Sequence, residues 1–520
     1  LEKEENMKIT LSQISKNSAI VAIFFLADKG LGLVRQVIIA RQFGLSKELD
    51  AFNVANNLPD MLFALISGGA LAMAFIPVLT QTMTLEGRQS AWRLFSRIAN
   101  LAFIITAMMA VIIAILSDQL VNWQVGIAPG FEVSQRRLVA ELMRLNLIAT
   151  VIFSISGLVL AGLQANQHFL LPAAAPSLYN IGQIFGAMIL APSKGYQIGS
   201  IQLPAYGLGV HGLVYGVIIG AVLHLLIQVP GLIKYQYRWE PGIQLKDPAV
   251  RQVLTVLGPR LITMVFIQLI FIVRDNLASR LATGSVSALT YGWMFFQVPE
   301  TFIGTAIGTA MLPSLAALAA KEDWKEFSHT IEKAVHTLIV ITIPIAFVLG
   351  IGLGDVIQAA FGFSSEQTDL VLWVSRGYLL GLAGQCVLEV AVRSFYAKKD
   401  AITPLWAAGI NLVLYLGLGI LLADLLGAPG ISLADCLAYT SEAILLLWVF
   451  KSRSPQPVNF SMTIPRGALA ALIGSLVSAL LIFILRERAY PLITALIAMT
   501  AGTLACLPVL WKDVKQLTRL

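Results

Sequence analysis

Several ionisable side chains lie inside stretches that are otherwise apolar, and their types narrow what they can do. The stretch 15–40 holds Asp28, Lys29 and Arg35, with Arg41 just beyond it; 255–282 holds Arg274, Asp275 and Arg280; 368–396 holds Glu389 and Arg393. Lys29, Gly32 and Arg35 are spaced three or four apart and share one helix face. A central Arg or Lys costs about 2.5–3.5 kcal/mol to insert into a bilayer, so such residues must pair or face a water-filled cavity. Internal salt bridges are one reading: Asp28 with Lys29 or Arg35, Arg274 with Asp275, and Glu389 with Arg393. On the first and seventh stretches, however, cations outnumber acids, and an uncompensated basic cavity suits an anion. Arginine's planar fork fits phosphate or pyrophosphate.

The elements that must position these groups follow from composition. Of 520 residues, 57% are hydrophobic and 12% charged, with a mean hydropathy of +0.79, which excludes an ordinary soluble domain. Crossing the hydrocarbon takes roughly 20 apolar residues as a helix, because each backbone polar group must be paired within its own segment. About fourteen such segments are expected, near 15–40, 50–77, 95–117, 138–163, 170–192, 206–233, 255–282, 287–313, 332–352, 368–396, 402–423, 430–450, 466–485 and 490–511. The fold class is therefore an all-α polytopic membrane protein. No Gly-rich loop ending in Lys-Ser or Lys-Thr is present, which argues against a built-in ATPase.

The net charge of +7 does not point to nucleic acid, because the cations gather in alternate loops, a sign of topology. Arg88, Arg93 and Arg97 follow the second segment; Lys234, Arg238, Lys246 and Arg251 the sixth; Lys398 and Lys399 the tenth; Lys512, Lys515 and Arg519 close the chain. With an even count, both termini are expected in the cytoplasm. Arg136, Arg137, Arg486 and Arg488 are exceptions on the expected outer side. Cys386, Cys436 and Cys506 read as structural thiols, the five histidines are dispersed, and no metal site is expected. No cleavable signal peptide is expected, and Leu1 to Asn6 read as an upstream extension.

The chain also repeats itself. Val34-Arg35, Ala40-Arg41, Pro59 and Ala74-Phe75-Ile76-Pro77-Val78-Leu79 recur about 240 residues later as Val273-Arg274, Ser279-Arg280, Pro299 and Ala310-Met311-Leu312-Pro313-Ser314-Leu315. Ala165, Pro172 and Asn180 recur as Ala397, Pro404 and Asn411. Two parallel six-helix repeats are expected, which places a substrate site on the axis between them. The expected divisions are a cytoplasmic segment 1–14, an N-lobe 15–235, a C-lobe 246–452, and two further helices in 464–512. Prolines and glycines inside the spans (Pro59, Pro77, Pro176, Pro299, Pro313, Pro344, Gly30, Gly32, Gly68, Gly69) bend or interrupt them. Pro59 and Pro299, at equivalent places, are expected hinges. Asn56 and Asn57 read either as ligands for a sugar or ion, or as caps of a proline-broken helix.

Gly32-Leu-Val-Arg35, Ala40-Arg41-Gln-Phe43-Gly44, Asp50-Ala51-Phe52 and Leu58-Pro59 resemble the MurJ/MviN lipid II flippases of the multidrug/oligosaccharidyl-lipid/polysaccharide exporter superfamily. Leu277-Ala278-Ser279, Gly284-Ser285-Val286-Ser287-Ala288-Leu289, Leu312-Pro313-Ser314-Leu315 and Phe395-Tyr396 with Asp400 and Thr403-Pro404 agree. The resemblance implies a V-shaped pair of lobes, a central cationic cavity and a lipid-tail groove beside the last two helices. It implies that lipid II is carried from the cytoplasmic to the outer leaflet of the bacterial inner membrane. Arg35 matches a cavity arginine, Lys29 stands where another arginine is usual, and Asp50 matches the acid after the first helix. Phe63 and Met294 occupy positions that are usually basic, Gln297 a position that is usually acidic, and Glu389 that of a lysine.

The expectation is thus a transporter that makes and breaks no bond. Lys29, Arg35 and Arg274 bind the pyrophosphate, and Asp28, Asp50, Asn57 and Arg393 complete the substrate set. Asp28, Asp275 or Glu389 couple to an ion gradient or membrane potential. No cofactor is expected; the partners are the lipid-linked saccharide, the bilayer and cell-wall synthesis enzymes, and the protein acts as a monomer. The alternatives are an exporter of another lipid-linked oligosaccharide, a drug or cation antiporter, which would need an acidic cavity, and a non-transporting scaffold.

Overall fold

The computed structural model describes the backbone of residues 2–67, 69–460, 464–485 and 490–517, and their side chains except at 2–20, 22, 66–74, 198, 256, 259–260, 512 and 516–517. Leu1, Gly68, Arg486, Arg488, Arg519 and the side chains of Glu2 to Asn6 and Lys512 lie outside the described residues. The first half of the chain forms α1 (Glu2–Phe43), α2 (Lys47–Ala55), α3 (Asn57–Leu62), α4 (Gly69–Glu86), α5 (Arg88–Asn122), α6 (Val133–Ala165), α7 (Leu170–Phe185), α8 (Val210–Leu226) and α9 (Val229–Lys234). The second forms α10 (Pro248–Ala278), α11 (Ser285–Glu300), α12 (Ala306–Ala320), α13 (Trp324–Phe361), α14 (Ser365–Leu380), α15 (Leu382–Ala397), α16 (Ile402–Leu426), α17 (Ala428–Arg453), α18 (Ile464–Leu485) and α19 (Pro491–Leu517). A hairpin of two short strands, Gln197–Ile198 and Ile201–Gln202, is the only β-structure among the described residues.

Among the described residues, ten helices are long and apolar enough to cross a membrane, and α14 with α15 makes an eleventh span bent by 42°. The other three expected spans are helical but lie partly outside the described residues or are broken into shorter pieces. The bend between α14 and α15 falls at Gly381, where a single straight span was expected. A Cβ on Gly381 would lie 2.9 Å from Cys436 Cα of α17, and one on Gly377 or Gly384 would strike Ser432 Oγ or Thr440 Oγ1. This glycine seam lets α17 approach the broken span backbone to backbone, as small residues do in membranes. Gly182 of α7 and Gly186, which opens the π segment Gly186–Leu190 directly after it, make the same kind of seam with Gly220 and Gly216 of α8, at 2.4 and 2.6 Å.

The two sequence copies share local irregularities. A π-helical segment, Phe63–Ser67, follows Pro59 between α3 and α4, and another, Thr301–Thr305, follows Pro299 between α11 and α12. Proline removes a helical donor and crowds the preceding turn, so each copy combines a proline-weakened turn with a widened one directly after it. Gln167 and Lys399, each two residues after the matched alanines, both adopt the left-handed conformation, with φ of 59° and 60°. That conformation ends α6 and α15 in the same way.

Two compact units form, one of Lys47–Gln268 with the chain up to Phe43, the other of Gly44–Ser46 with the chain from Leu269 on, so one division falls inside α10. Val250, Val253 and Leu257 at the start of α10 pack into the first unit's core with Phe75, Trp92, Phe95 and Leu163. The connection itself is tied to α5. Trp92 Nε1 donates to the Tyr235 carbonyl, Asn100 Nδ2 to the carbonyls of Glu240 and Gly242, and Arg97 pairs with Asp247. The helices α18 and α19 join the second unit, where Ala470, Cys506 and Leu510 pack on Val340 of α13. Cys386, Cys436 and Cys506 carry free thiols.

Candidate functional site

In the first unit, Asp28, Gly32 and Arg35 form one face of α1, spaced by four and three residues and directed at Asn180 of α7. Arg35 Nη1 donates to Asn180 Oδ1 at 3.0 Å, and Asn180 Nδ2 donates to Asp28 Oδ1 at 2.8 Å. Gly32 leaves room for the amide, whose atoms would lie 3.9 Å from an added Cβ. The Asp28–Arg35 bridge considered from sequence is thus relayed through an amide, which holds both charges two turns apart on a single helix. Lys29 is exposed beside this face, with its Nζ 5.2 Å from the centre of the Phe25 ring.

Around the first π segment, Asn56 occupies the position before α3 without capping it; its Oδ1 accepts from Asn146 of α6 at 2.7 Å. The Pro59 carbonyl accepts from Thr150 at 3.4 Å. These bonds anchor the broken span to α6, so the reading of Asn56 as a cap is corrected. Asn57 is half-buried at the start of α3, and Asp50 is buried in the first turn of α2, where a carboxylate suits the helix dipole. Phe63 is partly exposed and packs edge-on against Phe153, with ring centres 5.1 Å apart.

In the second unit, Arg274 Nε donates to the adjacent Asp275 Oδ1 at 2.7 Å, and both residues are buried. The guanidinium also lies 5.2 Å from the Phe271 ring centre. Arg274 is therefore neutralised by its neighbour, the ion-pair arrangement rather than the uncompensated cation. Arg393 pairs with Glu389, donates to the Glu389 carbonyl at 2.8 Å and reaches Thr309 Oγ1 at 3.2 Å. Arg280 Nη2 donates to Asn276 Oδ1 at 3.3 Å.

Several further carboxylates in the spans escaped the sequence reading, among them Asp60 of α3, which interacts electrostatically with Arg35. Glu300 closes α11, while Asp435 and Glu442 are buried on α17, and Glu442 Oε2 accepts from Asn411 Nδ2 at 2.7 Å. Asn180 and Asn411 had been noted as repeat markers; being polar residues at matching depths in apolar spans was the signal that they carry bonds.

The description "Lipid II flippase MurJ" names a family whose pattern matches residues 39–501. The chain belongs to this family. Among its curated relatives, the lipid II flippase MurJ of Burkholderia cenocepacia is 28% identical over 444 residues, covering 83% of each chain. A probable lipid II flippase MurJ of Rhizobium meliloti is 25% identical over 502 residues, covering 94% of this chain and 90% of that one. A solved structure of lipid II flippase MurJ in an inward closed conformation superposes with a TM-score of 0.76 at 22% identity, covering 95% of this chain and 99% of that one, which shows a shared fold. The fold is that of an all-helical membrane transporter.

Proposed function

We propose that this protein moves lipid II, or a closely similar lipid-linked saccharide, from the cytoplasmic to the outer leaflet of a bacterial inner membrane by alternating access. The observation that carries the reading, given family membership, is Arg35 held inside a span by Asn180 and Asp28. A polar pyrophosphoryl saccharide does not cross hydrocarbon unaided, whereas its polyprenyl tail is at home there. A guanidinium fixed in orientation by an amide that a carboxylate in turn holds is suited to bind the pyrophosphate, with the exposed Lys29 as a second cation. Arg274, Arg393, Asp50 and Asn57 remain the further substrate-binding candidates, Arg274 and Arg393 each already engaged by a carboxylate of its own helix. Pro59 and Pro299, each followed by a π segment, let the spans bend. No bond is made or broken; the membrane potential or an ion gradient drives the cycle, both termini lie in the cytoplasm, and the duplicated bundle works as a monomer beside cell-wall synthesis enzymes.

The test is rescue of a bacterium depleted of its own lipid II flippase. Wild-type protein is expected to restore growth, and Arg35→Ala at matched membrane levels to fail. A second reading, transport of another lipid-linked oligosaccharide, draws on Phe63 and Met294 at usually basic positions. Absence of rescue by well-expressed wild type, with rescue gained on Phe63→Arg and Met294→Arg, would favour it.

A further inference from the structure

We propose that Glu300 is a proton-binding site that sets the conformation of the α11–α12 span, an inference that rests on the alternating-access reading. Glu300 directly follows Pro299 and directly precedes the π segment Thr301–Thr305. Its side chain is 8% exposed, and its oxygens accept hydroxyls from the π segment itself: Thr305 Oγ1 at 2.9 Å and Thr301 Oγ1 at 3.3 Å. The carboxylate is thus folded onto the turn that departs from α-helical geometry.

The charged groups acting on Glu300 are Glu389 and Arg393, both on α15, and the Cys386 thiol of the same helix is a further titratable neighbour. Arg393 is already engaged with Glu389 and Thr309. With both carboxylates ionised, the three groups carry one net negative charge inside a span, which is costly in hydrocarbon; a single proton cancels it. Contact between the elements is close: a Cβ on Gly304 would lie 2.9 Å from Cys386 Cα, and one on Gly308 3.0 Å from Arg393 Nη1. A change at Glu300 is therefore transmitted to α15.

In the step itself, a hydronium ion gives its proton to a Glu300 oxygen and leaves as water. The neutral acid donates one hydrogen bond in place of accepting at that oxygen, so one threonine hydroxyl must turn away, and repulsion from Glu389 ends. Deprotonation restores both threonine bonds and the widened turn.

Infrared difference spectra of the full-length protein in lipid, taken between mildly acid and mildly alkaline buffer, test the site without any cargo. The carbonyl band of a protonated carboxyl is expected to lose one component in Glu300→Gln and to keep it in Glu389→Gln. Thr305→Val, which removes a donor to the charged form, is expected to shift that component's titration upward. Superimposable bands in wild type and Glu300→Gln, or loss of the component only in Glu389→Gln, overturn the proposal. In proteoliposomes carrying lipid II, the rate is expected to vary with pH for wild type and to lose that dependence in Glu300→Gln; an unchanged profile counts against the site. If wild type moves no lipid II, the function reading fails and the infrared bands alone decide the proton site.

Discussion

The Arg35 guanidinium donates to the Asn180 amide oxygen across 3.0 Å, joining α1 to α7. Asn411, the repeat counterpart of Asn180, instead donates to Glu442 of α17 at 2.7 Å. Both amides donate to a carboxylate, Asp28 in one copy and Glu442 in the other, but Asn180 also accepts from an arginine whereas Asn411 Oδ1 has no partner among the described residues, so the duplicated scaffold carries unlike polar chemistry in its two halves.

Asn180→Leu removes both bonds and is expected to lower stability by about 1–2 kcal/mol, the scale of interhelical polar contacts in membranes, and to abolish rescue. Asn180→Asp, which still accepts from Arg35 but adds a second acid beside Asp28, is expected to fold and transport weakly. Thermal unfolding in detergent and the rescue assay, run together, separate the two effects. Normal rescue by Asn180→Leu would remove Arg35 orientation from the mechanism.

The glycine seams tolerate no side chain. Gly182→Val places atoms where Gly220 backbone stands, 2.4 Å from the added Cβ. A flexible side chain could turn aside, but backbone cannot, so the loss is expected to exceed the roughly 1–3 kcal/mol of ordinary overpacking. Gly417, with open space around it, is the control: Gly417→Val is expected to elute from gel filtration as wild type does, while Gly182→Val aggregates.

Asp400 illustrates a pH dependence whose sign can be worked out. Burial pushes its carboxyl up, but the Thr403 hydroxyl and amide, the Ile402 amide and Arg453 together hold it below the ordinary aspartate value of 3.8. A carboxylate with a depressed value contributes stability above the unfolded-state value and loses it as pH falls through the folded-state value. Asp400→Ala, which removes acceptors at the start of α16, is expected to lower stability near neutral pH by about 1 kcal/mol. The gap from wild type should close in acid; a gap that is constant with pH contradicts the assignment.

Pro59→Ala and Pro299→Ala return a backbone donor to each broken span and are expected to favour regular helix over the π segments. Binding of lipid II should persist while the transport rate falls, with the double variant slower than either single one. Equal loss of binding and transport would show that the prolines shape the site rather than its motion.

Much of this arrangement was legible in the chain because it is local. Apolar runs announce spans, and Pro59 and Pro299 announced interruptions of their helices, since a missing donor acts within its own helix; the π segments at Phe63–Ser67, Gly186–Leu190 and Thr301–Thr305 were not read from the chain. Arg35 stood out because charge is rare among apolar residues. Its relay through Asn180 did not, because the two lie 145 positions apart and their contact depends on how α1 packs against α7. The break at Gly381 was hidden for a related reason: glycine in a membrane span is common, and only the approach of Cys436 shows what this one is for. Arg274 and Asp275 were seen as a pair, but whether their charge was spent on each other or left for a cargo was a matter of rotamers and burial.

The division of α10 bears on how the protein is made. Val250, Val253 and Leu257 belong to the first lobe's core, yet they are synthesised after the whole of that lobe's sequence repeat. The nascent chain thus leaves the first lobe with an unfilled gap among Phe75, Trp92 and Phe95 until the ribosome has passed the connecting strap. Maturation of the first half is in this way held in step with the insertion of the second.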